Sequence, residues 1–174
     1  MNLEELFTKY WSQVTLLLLG IGYLIKRLLD IKARKKEINH NLFQQNKIDA
    51  LGRFFSIYSK ASQMWDHLSV FEILENKIAA KEIDKIIFPH LNNLEQSVFE
   101  LKLYFDDDDH KLFENVSLNM LLINSKLCQL WMNFDEGYTI IQKSNDFGGF
   151  RGKVLRENRT IINELSTKVR LSFK

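Results

Sequence analysis

The sequence has little of the three residue types that interrupt or cross-link helices. Its 174 residues include one cysteine, one proline and seven glycines. A single cysteine, Cys128, excludes an internal disulfide framework and fits a reducing cytoplasm. So few prolines and glycines argue against a turn-rich β fold. We therefore expect an all-α protein.

An excess of one charge is also lacking over most of the chain. Lysine and arginine number 24 against 22 acidic residues, which gives a net charge of +2. No nucleic-acid-binding field covers the whole protein, and we expect no partnership with a nucleic-acid duplex. Positive charge is concentrated in one short segment, which holds Lys26, Arg27, Lys32, Arg34, Lys35 and Lys36.

Motifs for catalysis are lacking as well. The histidines make no HExxH pair, and the chain has no GxSxG nucleophile elbow. Cys128 lies on the apolar face of a predicted helix, where a thiol is inert. We expect no cofactor and no bound metal. We expect the protein not to be an enzyme.

Tyr10–Ile25 is the longest stretch without a charged residue. A spanning helix uses about 20 apolar residues, so we interpret the stretch as a short transmembrane helix that Leu28 and Leu29 extend. The basic segment follows it, and the positive-inside rule then puts the N-terminus outside and the rest in the cytoplasm. This predicts a single-pass protein of the bacterial inner membrane. A buried core helix is the alternative, and the acidic leader argues against a cleaved signal peptide.

One stripe of the predicted membrane helix is not purely apolar. Steps of three and four residues place on it Ser12, Thr15, Leu19, Gly22 and Lys26. Small and hydroxyl side chains on a stripe are typical of contacts between membrane helices, so it predicts a homo-oligomer interface or a narrow pore. The alternative is that Ser12 and Thr15 bond to their own helix. The basic segment next to the stripe predicts contact with anionic lipid headgroups.

The remainder of the chain predicts a cytoplasmic bundle of four or five helices. We assign residues 1–29 to the N-terminal tail and transmembrane helix, 30–47 to a basic stalk helix and 48–174 to the bundle. Apolar residues recur at helical spacing within 48–74, 76–88, 89–105, 110–134 and 154–173. Pro89 predicts a break near Phe88, because the residue before a proline is pushed away from helical geometry.

Four consecutive aspartates, Asp106–Asp109, precede a predicted helix. Aspartates there cap free N–H groups and complement the helix dipole, which is our interpretation. The alternative is a divalent metal at Asp106, Asp108 and His110. An EF-hand loop does not fit, because Lys111 stands where the turn glycine is needed.

Residues 145–153, NDFGGFRGK, are the glycine-rich segment of the predicted bundle, and we expect a loop. Glycines let backbone N–H groups approach an anion, and basic side chains beside a helix start add charge. The predicted anion site consists of Gly148, Gly149, Arg151, Gly152, Lys153, Arg156 and Arg159. The segment is not a Walker loop, because Val154 follows Lys153. Its ligand would be a phosphate, a nucleotide or a lipid headgroup, and the alternative is a plain mobile connector.

The layout of an apolar helix, a basic segment and a helical bundle resembles the small membrane-anchored effectors of bacterial anti-phage systems. Those effectors disrupt the inner membrane when triggered. The resemblance covers the architecture of the whole chain and rests on no diagnostic motif, so it implies no site residue. It implies a homo-oligomeric effector that forms or gates a pore in response to a cytosolic nucleotide or protein partner. The alternative is a passive single-pass anchor or scaffold that recruits a cytoplasmic protein.

Overall fold

The computed structural model describes residues 3–132 and 137–172, apart from the side chains of Leu3, Leu6, Phe7, Thr8, Ser12, Val14 and Ser172. Every regular element in these ranges is a helix, so the all-α prediction is confirmed for them. The helices are α1 (Leu3–His67), α2 (Val70–Leu74), α3 (Ala80–Leu101), α4 (Asp107–Met132) and α5 (Ile140–Ser172).

The chain divides into two compact units, Met1–Asn46 and Lys47–Lys174. Helix α1 contributes residues to both units and is continuous over its 65 residues. In the N-terminal unit every side chain from Thr15 to Phe43 is exposed. The second unit is the helical bundle, and it contains the hydrophobic core.

The predicted transmembrane helix is wrong. In the described part of the chain, no helix has the combination of length and apolar character that crossing a membrane requires. At 1.5 Å per residue Tyr10–Ile25 extends for about 24 Å, which is less than the roughly 30 Å of bilayer hydrocarbon. The stretch includes Gln13 and is followed at once by Lys26 and Arg27.

Aromatic side chains from α1, α4 and α5 form the centre of the bundle. Trp65, Phe54, Phe113 and Phe147 are each at most 1% exposed. The Phe54 ring packs edge-on against Phe113 with 4.9 Å between centroids, which joins α1 to α4. The Trp65 ring lies 6.2 Å from that of Phe147, which joins α1 to α5. Burying a large apolar side chain contributes about 1.5–3 kcal/mol, so these contacts hold α1 against the other helices.

Ion pairs mark the antiparallel arrangement of α4 and α5. Nζ of Lys168, late in α5, lies 2.8 Å from Oδ1 of Asp109 at the start of α4. Nζ of Lys126, late in α4, lies 2.8 Å from Oδ2 of Asp146 early in α5. Exposed pairs of this kind contribute little to stability, but they fix which ends of the two helices meet.

The capping interpretation of the aspartate run is confirmed. Helix α4 begins at Asp107, and its first turn contains Asp107, Asp108 and Asp109. The Asp106 carboxylate accepts a hydrogen bond from the backbone N–H of Asp109 at 2.9 Å. A side-chain acceptor at this position satisfies an N–H group that the helix itself leaves without a partner.

The predicted break before Pro89 is wrong, because α3 continues through the proline. Ile83 and Ile87 on one side of Pro89 and Leu91 and Leu94 on the other are all buried. They form one apolar face that packs into the core. A proline inside a helix costs about 3 kcal/mol, and the burial of this continuous face outweighs that cost.

The predicted glycine-rich loop is also wrong, because residues 145–153 belong to α5. Phe147, Val154, Asn158 and Leu165 are buried at spacings of seven and four residues, so they share one helix face. The buried face begins before the glycines and ends after them. Tertiary packing therefore overrides the weak helix propensity of the segment.

We expect Gly149→Ala to stabilise the protein by about 0.5–1 kcal/mol, because glycine inside a helix costs that much relative to alanine. Gly149 is exposed, and a Cβ built there meets no atom within 4 Å. Urea unfolding of both proteins measures the change. Gly137→Ala, outside any described helix, is the control and should give a smaller gain. A loss of stability in Gly149→Ala would contradict the helical assignment.

Candidate functional site

An open groove of about 460 Å³ lies between α1 and α5 within the bundle. Ligand pockets in proteins usually have volumes of about 300–1,000 Å³, so the groove is large enough for a small organic molecule. Helix α1 lines it with Tyr58, Ser59, Ser62, Gln63 and Asp66. Helix α5 lines it with Gly152, Leu155, Arg156, Arg159 and Ile162.

The α1 wall lies beside the core-facing side of the helix. Ala61 and Trp65 have no exposed surface and point into the core. Tyr58, Ser62 and Asp66 follow one another at steps of four residues, so they form a row next to that buried side. The core contacts of α1 therefore fix the direction in which this row faces.

The α5 wall is built in the same way. Gly152, Leu155, Arg159 and Ile162 recur at steps of three and four residues and share one stripe. The Arg156 side chain lies next to Gly152, because a Cβ built there would make an ordinary contact of 3.5 Å with Nη1 of Arg156. The Arg156 side chain therefore lies along α5 towards Gly152.

Two cations in the groove lack a protein partner. Among the residues that the structure describes, the guanidinium groups of Arg156 and Arg159 neither pair with a carboxylate nor donate a hydrogen bond. Two other arginines of the bundle are engaged: Arg53 pairs with Glu100, and Arg151 donates to the Trp65 carbonyl at 2.5 Å. The groove therefore offers two unneutralised guanidinium groups from one helix.

The phenol of Tyr58 adds a hydrogen-bond donor to the α1 wall. Partial burial raises the pKa of Tyr58 above its usual value, and the positive charge of Arg159 offsets part of that rise. The phenol is consequently protonated at neutral pH. Asp66 supplies a carboxylate on the same wall, so the groove combines positive charge on α5 with one negative charge on α1.

The structure brings together three of the seven residues predicted to bind an anion, Gly152, Arg156 and Arg159. Arg151 instead bonds to the Trp65 carbonyl. Gly148 and Gly149 lie inside α5, where backbone N–H groups bond along the helix. Lys153 is exposed and lies outside the groove lining. The side chains of Arg156 and Arg159, and not a glycine-rich backbone, therefore carry the positive charge of the groove.

Sequence reasoning missed the α1 wall of the groove. The sequence predicts a helix over residues 48–74, but none of Tyr58, Ser59, Ser62, Gln63 and Asp66 is predicted as a binding residue. The four-residue steps from Tyr58 to Asp66 were the available signal. Polar side chains at that spacing beside a buried face mark the border between core and solvent.

The residues predicted for the pore or oligomer stripe all lie on α1. Thr15, Leu19, Gly22 and Lys26 are exposed, and the side chain of Ser12 is outside the described part of the structure. The Thr15 hydroxyl donates to the Trp11 carbonyl at 2.9 Å, as the alternative interpretation expected. The basic side chains predicted to contact lipid headgroups, at positions 26, 27, 32 and 34–36, are all exposed.

A second cavity, of about 380 Å³, lies between α3 and α4 beside His110. The His110 ring is 5% exposed. Its Nε2 lies 2.9 Å from the Val98 carbonyl oxygen and its Nδ1 lies 3.3 Å from the Glu114 carboxylate. Within residues 3–132 and 137–172, no three His, Cys, Asp or Glu side chains are grouped to hold a metal ion. The alternative metal site at Asp106, Asp108 and His110 therefore finds no support.

Cys128 is half-buried in α4. Burial raises the pKa of its thiol, and the nearby Asp84 carboxylate raises it further. The thiolate is the reactive form of cysteine, so a raised pKa lowers the reactivity of Cys128 at neutral pH.

Comparison with known proteins finds no family model, no curated protein and no solved structure that matches the chain. The function is accordingly argued from the geometry and charge of the groove.

We expect the phenol of Tyr58 to ionise above its usual pKa of 10.0. The tyrosinate absorbance of the wild type minus that of Tyr58→Phe, followed during alkaline titration, isolates this group. A pKa raised by folding means that the protonated phenol stabilises the fold below pH 10, and this stabilisation is lost as the pH rises through the folded value.

Removing the charge of Arg159 should move the Tyr58 titration to still higher pH, because that charge favours the phenolate. Arg159→Gln tests this, and Arg156→Gln, which removes a groove charge that does not act on Tyr58, is the control. Ionisation of Tyr58 at or below pH 10, or equal shifts in both variants, would contradict the described arrangement.

Proposed function

We propose that this chain is a non-catalytic effector whose bundle binds a small phosphate-bearing ligand in the groove between α1 and α5. The observation that supports the proposal is the pair of guanidinium groups, Arg156 and Arg159, that line the groove without a partner in the described part of the chain. The planar guanidinium fork matches phosphate oxygens in geometry and charge.

The other groove residues favour a nucleotide over a bare phosphate. Leu155, Ile162 and the ring of Tyr58 offer apolar surface to a base. Ser62 and Gln63 offer hydrogen bonds. Asp66 can accept a hydrogen bond from a hydroxyl or amino group, and it would repel phosphate on its side of the groove. A ligand with phosphate at one end and neutral polar groups at the other fits this distribution.

The position of the groove suggests how the ligand would act. Its walls come from α1 and α5, so a ligand bound to both adds contacts between these two helices. A ligand at 100 times its Kd stabilises the form that binds it by about 2.7 kcal/mol. We propose that this ligand-dependent stabilisation of Tyr58–Asp66 is the signal that α1, which also forms the N-terminal unit, transmits.

The pore form of the effector hypothesis required a membrane-spanning helix and is not part of this proposal. Contact of the exposed basic segment with anionic lipid stays a prediction, and so does a role in anti-phage defence. A scaffold that recruits a partner protein is the alternative function, and it requires no ligand in the groove.

Calorimetric titration with ATP tests the proposal. Hydrogen bonds to charged groups contribute about 1.5–3 kcal/mol, so Arg156→Gln and Arg159→Gln should each weaken ATP binding roughly 10- to 150-fold. Pyrophosphate serves as a second probe. It should bind more weakly than ATP but depend on the same two arginines.

Lys153→Gln is the matched control, because it removes the same charge from the same helix outside the groove. Its ATP affinity should stay within about twofold of the wild type, since Lys153 does not line the groove. An equal loss in Lys153→Gln would mean unspecific attraction. Failure of both probes to bind the wild type would contradict the proposal and favour the scaffold.

A further inference from the structure

In the N-terminal unit the described helix runs from Leu3 to Asn46, and every side chain from Thr15 to Phe43 is exposed. The large apolar residues from Leu16 to Leu42 are 45–73% exposed. An isolated helix has little stability of its own in water, and most helices are held by packing an apolar face. Such a segment therefore needs a partner that covers it.

The apolar residues of this segment follow a heptad repeat. Alternate steps of three and four residues, typical of a coiled-coil seam, connect Tyr10, Val14, Leu17, Ile21, Leu24, Leu28, Ile31, Lys35, Ile38 and Leu42. We call this set the seam. Its apolar members with described side chains are 40–63% exposed. Lys35 is its one charged member.

The length and period of the seam indicate what covers it. A strict repeat of seven residues drifts by about 20° per heptad around a straight helix, and it stays on one side only when two helices supercoil around each other. A flat lipid surface does not require this period. The seam also continues through Ile38 and Leu42, beyond the basic segment, where a helix lying on lipid would have to bury Lys35 with its apolar face.

We propose that the seam packs against the seam of a second copy of this chain, in an antiparallel coiled coil. A heptad seam is complementary to itself, so a second copy needs no further recognition element. A single lysine at a core position is tolerated in coiled coils, where it helps to specify register at a cost in stability.

Charge decides the antiparallel orientation. In a parallel pair the basic residues between Lys26 and Lys36 would lie beside their equivalents, with Lys35 against Lys35. In an antiparallel pair centred between Gly22 and Tyr23, the two Lys35 residues are about 37 Å apart at 1.5 Å per residue. That distance is several times the Debye length of roughly 8 Å, so the repulsion is screened.

This antiparallel register also gives Lys35 a favourable neighbour. Residues whose numbers sum to 45 face each other in successive layers of the seam: Tyr10 and Lys35, Leu17 and Leu28, and Ile21 and Leu24. Lysine over the face of a tyrosine ring is attracted by the ring quadrupole. The one charge in the seam thus meets the aromatic ring in it, and the remaining layers are apolar.

The seam differs from the stripe that was predicted as a pore or oligomer interface. Thr15, Leu19, Gly22 and Lys26 lie on the side of α1 opposite to the seam, at helical steps of about 100° per residue. Leu18 and Ile25 flank the seam and widen its apolar face. Two antiparallel pairs can therefore associate further, and we expect a dimer or a tetramer.

Sedimentation equilibrium of the full chain in buffer without lipid tests the proposal. The wild type should sediment as a dimer or a tetramer. The seam variant Ile21→Asn, Leu24→Asn should dissociate to monomer, with a Kd raised at least about 100-fold. The control Leu16→Asn, Leu19→Asn removes two exposed leucines that lie outside the seam and should keep the mass of the wild type.

Three results would overturn the proposal. These are a monomeric wild type, a control variant that dissociates as fully as the seam variant, and a monomer that binds vesicles of anionic lipid through Ile21 and Leu24. The last result would assign the seam to a membrane surface. The proposal does not depend on the ligand: Arg156→Gln should leave the mass unchanged, and the seam variant should bind ATP as the wild type does.

Cross-linking with a short bismaleimide tests the orientation. In a Cys128→Ser background, Leu17→Cys and Leu28→Cys should each give little cross-linked product alone and much more when the two proteins are mixed. Efficient cross-linking of Leu28→Cys with itself would show a parallel pair and overturn the antiparallel assignment.

Discussion

Burial of one stretch of α1, from Phe54 to Trp65, is the constraint on which the bundle depends. Phe54 meets Phe113 of α4 and Trp65 meets Phe147 of α5, so one helix holds two others in place. These contacts set the rotation of α1 about its own axis. This rotation directs the row from Tyr58 to Asp66 towards the groove. The packing of the core therefore determines where the α1 wall of the groove lies.

Burial in the core also explains why the predicted break in α3 and the predicted loop in α5 are wrong. Pro89 and the glycines at 148, 149 and 152 each cost helix stability, and a reading of short windows places breaks there. The buried side chains on both sides of those residues belong to one face, and the free energy of burying that face exceeds the local cost. Periodicity over longer windows carried this information. The apolar residues at helical spacing within 76–88 and 89–105 include Ile83, Ile87, Leu91 and Leu94, which the structure buries.

In the N-terminal unit, the composition and the spacing of the apolar residues indicate different structures. Four consecutive leucines, Leu16–Leu19, cover most of the circumference of a helix, so they hide the finer period to which Leu17 belongs. A count of apolar residues therefore favours a membrane span, whereas spacing favours a seam. The charge distribution separates the two, because a seam can continue through Lys35 to Ile38 and Leu42 and a spanning segment cannot. The groove was less accessible to sequence reasoning, because its walls are more than 80 residues apart in the chain.

A buried asparagine, Asn158, connects the core to the groove. Asn158 has no exposed surface. Its side chain accepts a hydrogen bond from Asn119 at 2.8 Å and donates one to the Val116 carbonyl at 3.3 Å. A buried amide is costly without partners, so a slip of α5 along α4 would lose both bonds and leave polar groups unpaired. A slip of one residue also rotates a helix by about 100°, which would turn Arg159 away from Tyr58. Asn158 therefore fixes the register of α5, and with it the side on which the two arginines lie.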